Sequence, residues 1–197
     1  MQIKFHVGLR RKRAVWVWLI VEDNPQCGQY SSFLYIYNMI AEKDLLYLRM
    51  AVELAREGVE KGQGGPFGCV IVKDGVVVGQ GWNGVTSTND PTAHAEVMAI
   101  RDACQRLGDY QLAGCAVYTS CEPCPMCLGA LYWARPDRVV YAASRHEAAE
   151  AGFDDAFIYQ EINLPDVERR IPFEHGVIEG SVEVFALWRE KGNKKLY

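Results

Sequence analysis

The sequence predicts an α/β domain of three layers, with a central mixed sheet covered by helices on both faces. Three observations carry this expectation. Apolar residues recur at helical spacing from Asp44 to Lys61, a β-rich run folds back on itself at Asp74-Gly75, and strand-like and helix-like stretches then alternate. The resulting order is α-β-β-α-β-α-β-α. A chain of 197 residues accommodates one such domain with a real core and is too short for two full ones. Hydrophobic residues at 49% and charged residues at 23% fit an ordinary globular protein.

Taken in order, Leu45, Leu48, Val52, Leu54, Ala55 and Val59 give the first helix its apolar stripe, and Gly62, Gly64, Gly65 and Pro66 end it. Phe67–Lys73 reads as a strand. Asp74-Gly75 is a type I′ hairpin turn, and Val76–Gln80 is the partner strand. A polar loop from Asn83 to Asp90 follows. Asp90-Pro91 then reads as an N-cap with proline at the first helical position, opening a helix that runs to about Leu107. Cys115–Thr119 is the next strand, Cys124–Ala134 the next helix, Arg138–Ala142 a further strand and Glu147–Ala151 a short helix. Near the end, Val184, Phe185, Leu187 and Trp188 form a last amphipathic helix that Gly192 closes.

The first 38 residues stand apart. Arg10-Arg11-Lys12-Arg13 before the apolar run Ala14–Val21 resembles the start of a signal peptide, but Glu22-Asp23 ends the run after eight residues. A membrane span needs roughly 20 apolar residues, so no membrane association is expected. The favoured reading is a misassigned start or appended segment, with the native start at Met39. A disordered or docking extension comes next, and a targeting signal last. This segment holds five basic and two acidic groups, a surplus of three positive charges, while the whole chain is −4. The domain from residue 39 onward therefore carries −7, which argues against a nucleic-acid partner and for a small neutral substrate. The seven cysteines show no disulfide framework. Reduced thiols place the protein in the cytoplasm.

The chemistry centres on Cys124 and Cys127, two thiols three residues apart behind Pro123, and on His94 thirty residues upstream. One imidazole and two thiolates make three ligands for a single Zn2+ per chain, leaving one position for water. Catalytic zinc sites keep such an opening, whereas structural sites close it with a fourth ligand. Glu96 follows His94 by two residues and is placed to carry protons for the activated water. Residues two apart on a helix diverge, so both reach one ion only if they sit in the first turn. Cys69, Cys104 and Cys115 fall on predicted strands or helices and read as small core residues. Cys121 is near the thiol pair, but that pair needs no third sulfur. The combination H-x-E and P-C-x-x-C is the known signature of zinc-dependent nucleobase and nucleoside deaminases.

Further stretches narrow the resemblance: Gly65-Pro66-Phe67-Gly68, Asn83, Asn89-Asp90-Pro91-Thr92, Tyr132-Trp133-Ala134-Arg135-Pro136, Ala151-Gly152-Phe153-Asp154-Asp155, and the Lys-Lys-x-Tyr end. With these, residues 43 to 197 resemble the bacterial guanine deaminases of the cytidine-deaminase superfamily. The resemblance implies a cytidine-deaminase-like fold and the hydrolysis of guanine to xanthine and ammonia, a step of purine base catabolism. It also implies a homodimer in which a C-terminal segment, about residues 160–197, is swapped onto the partner subunit. Asn83 would bind the purine, Phe67 and Trp133 would wall the pocket, Asp155 would lie near the departing amino group, and Tyr197 would reach in from the other subunit. Each of these also fits a plain local role, as turn, cap, tail or core residue.

Rival readings differ in testable ways. A tRNA adenosine deaminase would share the metal chemistry but needs a basic surface. A cytosine, cytidine or triazine deaminase differs in pocket shape, which sequence shows poorly. A non-catalytic zinc module or a C-x-x-C redox protein explains the thiols but leaves Glu96 without a purpose.

Overall fold

The computed structural model describes residues 40–196. The expectations for residues 1–38 and for Tyr197 fall outside the described residues. Four strands form one mixed sheet: β1 (Gly68–Lys73), β2 (Val76–Trp82), β3 (Cys115–Cys121) and β4 (Arg138–Ala143). Their order across the sheet is β2-β1-β3-β4. β1 runs antiparallel to both its neighbours, and β3 runs parallel to β4. The β1–β2 hairpin turns at Asp74 and Gly75, both at positive φ (51° and 84°), as a type I′ turn requires.

Alternation along β1 divides the core. Cys69 and Ile71 face one side, where they meet Ala95, Ala99 and Ala103 of α3 (Ala95–Leu107) and Leu131 and Ala134 of α4 (Pro125–Ala134). Val70 and Val72 face the other side, with Leu48 and Ala51 of α1 (Glu42–Glu60) and Tyr118 of β3. The sheet is thus covered on both faces. Each fully buried aliphatic side chain such as Ile71 contributes about 2 kcal/mol.

The position of α3 follows from what β2 lacks. A Cβ at Gly81 would come within 2.6 Å of the Ala99 nitrogen, and one at Gly79 within 2.6 Å of the Ala103 Cβ. Bare backbone on the strand facing alanines on the helix lets the two elements close up. That close packing fixes the axis of the helix that carries His94 and Glu96 at its tip.

Three differences from the sequence reading have local physical causes. Helix α3 starts at Ala95, four residues later than Asp90-Pro91 suggests. The Asp90 carboxylate is used locally, accepting from the Thr92 amide at 2.8 Å and the Thr92 hydroxyl at 2.6 Å, and the N-cap position passes to His94. Helix α5 (Arg145–Glu150) starts two residues early, because Ser144 and Glu147 form a capping box that makes Glu147 the third residue of the helix. Within stretches that show no clear period lie α2 (Val85–Thr88), α6 (Ala156–Ile162) and a 3₁₀ turn at Asp166–Glu168, before the expected final helix α7 (Glu183–Glu190).

Asp44, at the start of α1, is 2% exposed rather than a solvated helix-start residue. It accepts from the Tyr118 hydroxyl at 2.7 Å and pairs with Arg138 at 2.6 Å, so one carboxylate ties α1 to β3 and β4. Burial and that bond raise the Tyr118 phenol to about 12.

Candidate active site

Two helix N-termini meet at one end of the sheet. His94 caps α3, with Glu96 in the first turn behind it. Cys124 caps α4, Pro125 fills the first helical position, where a missing N–H costs nothing, and Cys127 completes the turn. His94 Nδ1 lies 3.5 Å from the Cys124 Sγ and 3.5 Å from the Cys127 Sγ. All three donor atoms fall within 4.8 Å of one another.

This set fits zinc. Zinc–sulfur bonds of about 2.3 Å and zinc–nitrogen bonds of about 2.0–2.1 Å at tetrahedral angles put nitrogen and sulfur about 3.5 Å apart. The donors are soft thiolates and an imidazole, and both helix N-termini favour negative charge beside them. Cys124 is held as a thiolate, down to about 4, chiefly because it accepts from Cys127 and also because His94 lies beside it. Cys127 is pushed far up by donating that bond and by burial. The two sulfurs therefore share a proton that a bound cation would displace. Hydrogen bonding to Cys124 raises His94 against an opposing burial effect.

Glu96 is 5% exposed, and burial pushes its carboxyl up. Its Oε1 accepts from the Thr119 hydroxyl at 3.1 Å, and its Oε2 lies 3.3 Å from the Cys127 sulfur. The carboxylate thus stands beside the donor cluster without belonging to it. Cys121 stays apart as well: its thiol donates to the Ser144 carbonyl at 3.6 Å. Cys69 and Cys115 are core residues, while Cys104 is half-buried at the core edge.

A cavity of about 340 Å³ opens in front of the cluster, within the size range of small-ligand pockets. His94, Glu96 and Cys124 form its floor, and Phe67, Asn83 and Asp155 stand around it. Phe67 is braced edge-on by Phe153, ring centres 4.9 Å apart at 87°. Asn83 is 6% exposed, and its Oδ1 accepts from the amides of Gly65 at 3.2 Å and Val85 at 3.3 Å. The side-chain NH₂ is left as a donor for a ligand. Asp155 occupies the N-cap position of α6 but makes no capping bond, and burial, aided by the Cys124 charge, raises its carboxyl.

Trp133, expected in the same wall, is not brought there. It lies on the outer side of α4, 63% exposed, and is absent from the cavity lining of this chain. Phe153, Thr86 and Arg145, for which the sequence alone implies no role, also line the cavity. Phe153 sits inside the quoted Gly-Phe-Asp-Asp stretch, so a signal was present. Thr86 and Arg145 gave none.

Residues 41–143 match the family model of the cytidine and deoxycytidylate deaminase zinc-binding region, a span that contains His94, Glu96, Cys124 and Cys127. The chain belongs to the cytidine and deoxycytidylate deaminase family. Within it, the chain is 61% identical over 151 residues to the guanine deaminase of Bacillus subtilis (strain 168), an alignment covering 77% of this chain and 97% of that protein. The X-ray structure of guanine deaminase from Bacillus subtilis superposes with a TM-score of 0.76 at 60% identity, covering 78% of this chain and 98% of the other. The tRNA-specific adenosine deaminase of Aquifex aeolicus (strain VF5) is 33% identical over 147 residues, 74% of this chain and 93% of its own.

Proposed function

We propose that the protein is a zinc-dependent guanine deaminase that hydrolyses guanine to xanthine and ammonia. The observation that carries the reading is the buried Glu96 carboxylate beside a three-donor cluster, His94, Cys124 and Cys127, at the floor of a base-sized cavity. Similarity to the Bacillus subtilis guanine deaminase over nearly the whole of that protein supports guanine as the substrate. The lower identity to the tRNA deaminase and the −7 domain weigh against a nucleic acid.

When bound by His94, Cys124 and Cys127, zinc would lower the pKa of a coordinated water from 15.7 to about 7. Glu96 takes a proton from that water and delivers it to a purine ring nitrogen. The water oxygen bonds to the ring carbon that bears the amino group. Glu96 then takes the second proton of that oxygen and passes it to the amino nitrogen, so the C–N bond breaks, ammonia leaves and a carbonyl remains. Protonation is needed because an amide anion is a very poor leaving group, so the same carboxylate both accepts and donates. The Asn83 NH₂ donates to the acceptor edge of the purine, and Phe67, braced by Phe153, offers a ring face for stacking. Asp155, which lines the same cavity, receives the departing amine.

The protein works as a homodimer in the cytoplasm, with the C-terminal segment swapped and Tyr197 completing the partner's pocket. Burial supports this reading: among the described residues none beyond Ala134 is buried. Val177, Phe185 and Leu187 lie 88%, 62% and 67% exposed, an apolar surface that a second copy would cover. Trp133 would then face that copy. Sedimentation should give a dimer at micromolar concentration, and a monomer there would remove the swapped arrangement.

An ammonia-release screen over guanine, adenine, cytosine, cytidine, guanosine and a tRNA anticodon stem tests the substrate. Guanine should dominate. Preference for any other compound overturns the assignment.

A further inference from the structure

We infer that Thr119 is a positioning residue that holds the Glu96 carboxyl in its working orientation. This inference rests on the proposed deamination. Thr119 lies on β3 at 1% exposure, and its hydroxyl donates to Glu96 Oε1 at 3.1 Å. The same hydroxyl lies 3.4 Å from the Gly68 carbonyl oxygen on the paired strand β1, where Thr119 is in register with Cys69. A buried hydroxyl without a partner would be costly, so this one is committed to two acceptors with a single hydrogen.

That arrangement serves both states of a proton carrier. With Glu96 ionised, the Thr119 hydrogen points to Oε1, and Oε2 is left on the side of the Cys127 sulfur. With Glu96 protonated at Oε2, the oxygen on the side of the donor cluster, the Thr119 hydrogen stays on Oε1. One O–H bond forms on Glu96 and later breaks as the proton moves on; the hydroxyl of Thr119 keeps its own hydrogen throughout. The carboxyl therefore changes protonation without swinging away from the donor cluster. A strand supports this well, because the β-branched threonine has few χ1 choices.

The test compares Thr119→Val, which keeps the shape and deletes the hydroxyl, with Thr119→Ser, which keeps the hydroxyl. Thr119→Ala is measured alongside, since it removes the hydroxyl without adding bulk if valine is not tolerated. Valine and alanine should lower kcat for guanine about tenfold to a hundredfold, the scale of one hydrogen bond to a charged group. KM and zinc content should stay near wild type, and serine should restore most of the rate. The infrared carboxyl band of Glu96, identified by its loss in Glu96→Gln, should shift in the valine and alanine proteins and not in the serine protein. Full kcat with an unshifted band in the valine or alanine protein overturns the inference, as does a serine variant as slow as valine. The band is read without substrate, so a wild-type enzyme inactive on guanine would sink the substrate assignment alone.

Discussion

Replacing Glu96 by glutamine is expected to cut guanine turnover by about 10³–10⁴-fold, the upper part of the range for a positioned proton carrier, with zinc retained. Glutamine has the same shape, and its carbonyl oxygen can still accept from Thr119, so the fold and the donor cluster should survive. What it lacks is a site for the travelling proton. Burial at 5% exposure pushes the Glu96 carboxyl up, bringing the base closer to the operating pH, where proton transfer in both directions is efficient. No other carboxylate in the cavity has the same place. Asp155 lines the wall, but no hydrogen bond links it to the donor cluster as one links Glu96 to Cys127. Ammonia release and metal content should be read on one preparation. A glutamine variant retaining more than about a tenth of wild-type turnover would take the proton-carrier role away from Glu96, given the expected loss.

Replacing Cys124 by alanine should abolish both zinc binding and turnover, and this is the second large effect. The thiolate is stabilised by its neighbours, at about 4, and it occupies the N-cap of α4, where the helix dipole favours its charge. Without it only two donors remain, too few to hold zinc against buffer and chelators. Metal analysis should fall from about one zinc per chain to a small fraction of that. The melting temperature should fall as well, because a ligand that binds only the folded state stabilises it. Cys121→Ala is the control. Its sulfur bonds to Ser144 and lies outside the cluster, so zinc should be kept. Zinc retained in the Cys124 variant, or lost in the Cys121 variant, would mean the donor set is wrong.

Much of this site could be read in the sequence because chemistry constrains spacing more tightly than packing does. A thiol pair three apart behind proline, and a histidine two before a glutamate, are demands of a metal and a proton carrier. They survive any error in helix boundaries, and α3 did start four residues late. The fold was legible for a similar reason: β1 is buried on both faces, so its run of Cys69 to Val72 is apolar throughout, and Asp74-Gly75 leaves only one tight turn.

What escaped depends on partners distant in sequence. Thr119 meets Glu96 from 23 residues away, and Asp44 meets Tyr118 from 74, so neither pairing leaves a local pattern. The family resemblance alone put Trp133 in the expected pocket wall, and α4 is apolar nearly all round, so its own pattern offered no check. Periodicity could not tell the buried Cys127–Leu131–Ala134 side from the exposed Leu128–Tyr132–Trp133 side. Helix α6 was missed for the opposite reason: none of its residues is buried, so Phe157 and Ile162 trace no core stripe.

The central claim is that three side chains, and no fourth, hold the metal in front of the cavity. Diffraction from crystals of the zinc-loaded protein, recorded on both sides of the zinc absorption edge, tests it most directly. The account predicts one anomalous peak per chain, bonded to His94 Nδ1, Cys124 Sγ and Cys127 Sγ, with its remaining position facing solvent and Glu96. A fourth protein side chain on that peak, or no peak among these residues, would contradict it.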